Sequence, residues 1–412
     1  MKSMRSVRPL LAILACAPAQ ATLAPLLDPY LNSMSIFASA YVTTGVASHV
    51  YGSFLAGAGA TVGASSVTST SFVTGDLLAV QGATIGVGVA VGGNLLAGAG
   101  ATVGASSTVG GNLLAGAGAT LGADSAVAGS FEAGAAADLG ARSNVAGNLY
   151  AGAAATLGEY SKVTGNVVAG TAVTLGVGAQ VLGTTTAYTA PTFTGTGIPT
   201  AAGVSAQAAQ VVDAQTSLRN LVTTTTLAAT MAGPTLLTAG VYSATALTMA
   251  AGTALVLDGQ GLDNQSWVFN IRDYLVTGAG ATISLINAGL GSSIIWNSGG
   301  YTTMGADTAF VGTILSNSYV SMGANTKVTG PNTSCGGIFS ATSYVVMGAD
   351  ATVGSLGCSG ASSAYWDAGP AGQTPTLLAS LGPANQVPEP ATLWLVLASL
   401  AGMAVMSRRR RS

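Results

Sequence analysis

Gly93-Asn94-Leu95-Leu96-Ala97-Gly98-Ala99-Gly100-Ala101-Thr102-Val103-Gly104-Ala105-Ser106-Ser107-Thr108-Val109-Gly110 is one turn of a repeat. Gly75, Gly93, Gly111, Gly129, Gly147, Gly165 and Gly183 fall 18 residues apart. Asp76, Asn94, Asn112, Asn148 and Asn166 follow five of the first six, with Ser130 as the exception. In the same frame Thr84, Thr102, Thr120, Thr156 and Thr174 recur, broken once by Asp138. A fixed short period with regular glycines is the pattern of a solenoid, whose coils bury one another by stacking. Each turn divides into three hexads, closing on Ala97-Gly98, Val103-Gly104 and Val109-Gly110. Side chains alternate along a strand, so with Ala101 and Val103 inside, Thr102 points out. Glycine is expected at the corners, where the backbone needs angles that other residues avoid. Three short strands per coil predict an all-β dominated, three-sided β-solenoid (a β-helix) with threonines stacked about 4.8 Å apart.

Composition fits that reading. The chain has 412 residues, 58 of them glycine, with 49% apolar and only 6% charged residues, the reverse of a disordered composition. Lys2, Arg5, Arg8 and Arg408 to Arg411 place most of the basic residues at the two ends. Only five basic residues stand against thirteen acids between those ends, which argues against nucleic acid as a partner. The basic start, the apolar run Leu10 to Ala15 and the small pair Ala19 and Ala21 read as a signal peptide over 1–21, cleaved after Ala21. Ile13-Leu14-Ala15-Cys16 loosely resembles a lipoprotein signal and is the alternative. Loss of Cys16 leaves Cys335 and Cys358, an even pair in an exported chain and the usual setting of a disulfide; two free buried thiols are the alternative.

Residues 22–74 read as an N-terminal cap with an irregular first coil from Gly52, and 75–183 as the regular solenoid. A Thr/Pro/Gly connector follows over 184–204. Ala208, Val211, Val212, Ala214, Leu218 and Leu221 are at helical spacing, which predicts one α-helix over 205–222. Strands return over 223–358, where Thr303-Met304-Gly305-Ala306 and Ser321-Met322-Gly323-Ala324 overlay Thr102-Val103-Gly104-Ala105 and set Thr303 and Ser321 in the outward position. Residues 359–386 read as a linker, and 387–412 as a sorting tail: Val387-Pro388-Glu389-Pro390, an apolar run Leu393 to Met406, then arginines. The run is short for a permanent membrane span, and the basic stop would hold its end on the cytoplasmic side before sorting.

Two resemblances follow. The tail resembles the PEP-CTERM signal of Gram-negative bacteria, which implies recognition by an exosortase and release to the cell surface or the exopolysaccharide matrix. Residues from about Ala208 to Gly354 resemble the ice-binding-like family of secreted β-solenoids. The residues that carry it are the helix, Leu237-Thr238-Ala239-Gly240-Val241-Tyr242, Leu257-Asp258-Gly259-Gln260-Gly261, Trp267 to Ile271, Ile294 to Asn297 and Phe310 to Leu315. The resemblance implies a right-handed, three-sided solenoid with a helix along it, and a flat threonine-bearing face as the place where ice would bind.

The candidate surface is therefore the rank of Thr84, Thr102, Thr120, Thr156 and Thr174, extended by Thr303 and Ser321. A β-favouring residue stacking on itself in a sheet is the plainer account of the same pattern. The asparagine ladder reads as structural, and His49 as a cap residue. Glu132 and Asp138 share a coil with Arg142 and read as a local charge network, while Asp258 and Asp263 read as loop hydrogen-bonding groups. One histidine and two paired cysteines assemble neither a catalytic triad nor a metal site, so no enzyme, cofactor or metal is expected. The functional expectation is an exported, non-catalytic ice-adsorbing solenoid; the alternative is a structural or adhesive protein of the cell surface or exopolysaccharide matrix.

Overall fold

The computed structural model describes residues 23–358 apart from Thr194 and Thr333, with 23–25, 365–367 and 376–377 described by backbone alone. Three parallel sheets of 14, 15 and 14 strands run side by side, each coil adding one strand to each sheet. At strand spacing the rod is roughly 60 Å long. In the regular coils the faces are built by strands such as Leu95–Ala97, Ala101–Val103 and Thr108–Val109, here termed the leucine, threonine and third faces. Ala101 and Val103 are buried while Thr102 between them is exposed, as the alternation requires.

Coil order along the axis differs from chain order. Strands Met34–Ala38, Val42–Thr44 and His49–Val50 pair on one side with the coil that begins at Ser53. On the other side they pair with Gly337–Ser340, Val345–Met347 and Thr352–Val353, the last coil of the chain's second half. The N-terminal segment is thus the middle of the stack and not its cap, and His49 sits on the third face at mid-rod. The chain starts at the centre and climbs to one end at Gln180–Val181. It then descends along the leucine face, starts again at Thr225–Thr226 and climbs back to the centre. Bringing the two halves together gives the open first coil a matching coil to bury against.

The descending segment covers apolar surface. Its helix spans Ala201–Arg219, starting before the predicted 205 because Thr200 caps it, its Oγ1 accepting from the Gly203 N–H at 3.1 Å. Val204, Val211, Ala214 and Leu218 pack with Phe37, Leu55, Leu78, Leu96, Leu114, Leu315 and Phe339. A buried polar lock fixes the helix in place. Gln215 Nε2 donates to the Ser298 and Leu315 carbonyls at 2.8 and 3.0 Å. Asn297 and Asn270 donate back to the Gln215 and Leu218 carbonyls at 2.9 and 2.6 Å.

The recurrent glycine serves close approach, not a corner angle. A Cβ on Gly104 would lie 2.6 Å from the Gly86 carbonyl carbon, and one on Gly122 would lie 2.5 Å from the Ala105 nitrogen. The left-handed corner comes two residues later, at Gly88, Ser106, Asp124, Arg142, Tyr160 and Gly178, and mostly without glycine. Stacked corners let Arg142 pair with Asp124 of the neighbouring coil, with Nε and Nη2 at 2.6 and 2.7 Å from its two oxygens. Arg142 holds the Asp124 carboxyl below its usual range. The expected network with Glu132 and Asp138 is therefore replaced: Glu132 faces the leucine side and Asp138 the threonine side.

The asparagine ladder is a chain of backbone caps. Asn94 Oδ1 accepts from the Asn112 N–H, Asn112 Oδ1 from the Ser130 N–H, and Asn148 Oδ1 from the Asn166 N–H, each at 2.8 Å. In the second half the core is aromatic, with Phe269 and Trp296 stacked at 3.8 Å. Loops at 259–265 and 287–292 lengthen those coils and hide the 18-residue period. Asp258 accepts there from the Gln260 N–H and Asn287 Nδ2, and Asp263 accepts from the Leu290 N–H.

Cys335 and Cys358 are joined by a disulfide with Cα atoms 4.9 Å apart, tying the insertion before Gly337–Ser340 to the end of the last coil. A bridge closing a loop of this length stabilises by roughly 3 kcal/mol. Cys358→Ser is expected to lose that amount in denaturant unfolding, and reductant is expected to have the same effect on the parent. Residues 1–22 with Ala19 and Ala21, and the tail with Val387, Pro388, Glu389, Pro390 and the run 393–406, lie outside the described residues. Among the described residues no helix is long and apolar enough to cross a membrane.

Candidate functional site

On the threonine face the outward residues form one rank of 14 positions, one for each strand of the sheet. From one end it reads Thr230, Thr248, Val276, Thr303, Ser321, Val346, Thr43, then Thr61, Thr84, Thr102, Thr120, Asp138, Thr156, Thr174. All seven candidates from the sequence fall in it, and the two groups are joined through the central coil. Thr43, Thr61, Thr230 and Thr248 were missed. Thr61 stands in Ala60-Thr61-Val62-Gly63, the same motif in the out-of-frame coil, so a signal for it existed. Thr43 in Val42-Thr43-Thr44-Gly45 and Thr248 in Leu247-Thr248-Met249-Ala250-Ala251 carry looser versions of it, and their place in the rank follows only from the folded order of the coils.

The rank has two unlike halves, set by the outward position two residues earlier. In the central coil and the four second-half coils nearest it that position is tyrosine, while beside Thr230 and Thr248 it is Ala228 and Ala246. Tyr274, Tyr301, Tyr319, Tyr344 and Tyr41 stack ring on ring, with centroids 5.3, 5.1, 5.1 and 4.8 Å apart. Beside them Thr43, Thr303 and Ser321 are only half-exposed. From Thr61 onward the same position is Gly59, Gly82, Gly100, Gly118, Ala136, Ala154 and Ala172. There Thr61, Thr84, Thr102, Thr120, Thr156 and Thr174 stand exposed above a bare floor. Packing does not force that bareness at Gly59 and Gly118, where a Cβ would meet nothing nearer than 3.5 Å, whereas at Gly82 and Gly100 it would meet a carbonyl oxygen at 3.3 and 3.1 Å. The flat stretch spans seven rungs, roughly 29 Å at strand spacing. What it offers is a row of methyl and hydroxyl groups at lattice-like regularity, interrupted by one carboxylate.

The third face holds an open groove of about 810 Å³ beside the disulfide, lined in part by His49, Asp307, Asn325, Lys327 and Asp350. Its polar groups are partly engaged with one another and with the coils. Asn325 Nδ2 donates to Asp307 Oδ1 at 2.9 Å, His49 stacks on Phe72 at 4.5 Å, and its Nε2 lies 3.2 Å from Ser69 Oγ.

With this geometry in place, residues 180–353 match the ice-binding-like family. Residues 386–411 match the PEP-CTERM protein-sorting motif. Ice-binding protein 1 of Shewanella frigidimarina is 39% identical over 82 residues, 19% of this chain. The match spans 9% of that relative's length. Two solved structures are similar at a TM-score of 0.32 and 21% identity. The ice-binding protein of the Antarctic ascomycete Antarctomyces psychrotrophicus covers 57% of this chain and 92% of its own, and the DUF3494 domain of the Shewanella protein covers 54% and 94%. An ice-binding protein from an Antarctic Flavobacteriaceae bacterium is 14% identical, with coverage of 80% and 98% and a TM-score of 0.31. All of Thr61 to Thr174 lies outside residues 180–353, the stretch that matches the family.

Proposed function

We propose that this protein adsorbs to ice through the bare half of the threonine face, Thr61 to Thr174, and so inhibits ice growth and recrystallisation. The observation that carries the reading is the in-register rank of exposed threonines above glycine and alanine. A rigid sheet holds methyl and hydroxyl groups at one fixed repeat, so water ordered over them needs no rearrangement of the protein on joining a crystal. The named ice-binding relatives support the target, and the reading is of a surface without catalytic chemistry. The sorting motif supports recognition by an exosortase and export to the surface of a Gram-negative cell. That motif also fits a structural or adhesive surface rod, which predicts no ice activity.

Recrystallisation assays with the parent and Asp138→Thr test this. The parent is expected to keep ice grains small. The substitution removes the one charge in the bare rank and is expected to lower the concentration needed. Coarsening at the buffer rate with both folded proteins would reject the proposal.

A further inference from the structure

The two ends of the rod are built differently. At the end formed by Thr225–Leu237 the outermost segment is rich in threonine and contains Pro234, which blunts an edge strand. The opposite end, Val173–Leu175 and Gln180–Val181, has neither charge nor proline. Among the described residues no strand pairs with its outer side on the threonine or third face. Leu175, Val177 and Leu182 are 49%, 70% and 60% exposed. One coil below, Leu157 and Val163, the rung partners of Leu175 and of the half-buried Val181, are 1% and 0% exposed because the next coil covers them. Glu159 and Thr164, below Val177 and Leu182, are exposed as those two are. The surface is therefore shaped for a coil edge carrying unpaired backbone groups and small apolar side chains.

We infer that this end docks against the same end of a second copy, in an isologous, end-to-end dimer. A second copy presents the required apolar, uncharged edge, whereas the chain's own other end lies a full rod length away. Self-complementary contact through one patch is the commonest way for identical chains to close an assembly. The chain's own tail is a poor fit. The last described strand, Thr376–Leu377, adds to the one paired with Leu23–Pro25, just ahead of the mid-rod coil. Seven coil steps separate that coil from the open end, roughly 34 Å. The eight residues left before the sorting motif begins at 386 reach at most about 29 Å. The inference is independent of what the threonine face binds.

The test is sedimentation of the full chain in a concentration series, beside Leu175→Lys/Val177→Lys. Both positions are exposed in the single chain, so the variant is expected to keep the parent's circular dichroism and melting temperature. The parent is expected to move from one to two chains per particle with concentration while the folded variant stays single. A single-chain parent throughout, or a dimer that survives in the variant, would overturn the inference. So would a parent that dimerises only after residues 378–412 are deleted, since the tail would then be the occupant.

Discussion

Gly118→Tyr/Ala136→Tyr is expected to fold like the parent and to lose recrystallisation inhibition by at least roughly tenfold, a loss of only about 1.4 kcal/mol in adsorption energy. The two residues occupy neighbouring rungs of the bare floor, on either side of the Thr120–Asp138 step. Neither substitution forces a clash at Cβ: position 136 already carries one, and at 118 the nearest atom would be the Ala136 carbonyl oxygen at 3.5 Å. The same register accepts tyrosine at five other rungs of this sheet, where the rings stack at 4.8 to 5.3 Å. Two such rings would stand beside Thr120 and lift any flat crystal surface away from the hydroxyl row. Because the change copies a pattern the fold already uses, lost activity with retained melting temperature would locate the face. Retained activity would mean that some other face meets ice.

A second large effect concerns stability. Gly104→Ala is expected to destabilise by about 1–3 kcal/mol, the usual range for overpacking. The added methyl would lie 2.6 Å from the Gly86 carbonyl carbon, and both partners are backbone, so no side-chain rotation can relieve the contact. Gly118→Ala is the matched control. It stands on the same face, has ordinary contact at 3.5 Å, and removes a glycine from the unfolded chain's repertoire, so it is expected to be neutral or slightly stabilising. Denaturant unfolding of the two variants separates glycines needed for coil-to-coil approach from glycines that only keep the surface bare. Equal effects would show that this distinction is wrong.

The periodic part of the fold was legible because each coil repeats the same packing problem. Ala101, Val103 and Thr102 alternate inward and outward, and a period of 18 places their counterparts on one line. The role of Gly104 was misread, since a corner angle and a close approach both call for glycine and only the neighbouring coil tells them apart. The central position of residues 34–50 left no sequence signal, because the pairing of Thr43 with Val346 joins residues some 300 positions apart. The same folded order supplies the central rung, Thr43, through which Thr303 and Ser321 extend the rank of Thr84 to Thr174. The tyrosine ladder had a partial signal, because Tyr301, Tyr319 and Tyr344 stand two residues before Thr303, Ser321 and Val346 in the repeated motif; only the place of Tyr41 beside Tyr344 depends on the chain's two halves meeting. The helix was legible from its apolar spacing, but its true start at Ala201 depends on the Thr200 cap, which lay inside an apparent linker.

Partition into growing ice tests the central claim most directly. A single crystal grown slowly from a dilute solution of the labelled chain excludes proteins that do not adsorb and engulfs those that do. The parent is expected in the crystal at or above its concentration in the liquid, and Gly118→Tyr/Ala136→Tyr in the liquid alone. A folded parent left wholly in the liquid would contradict ice adsorption by this protein.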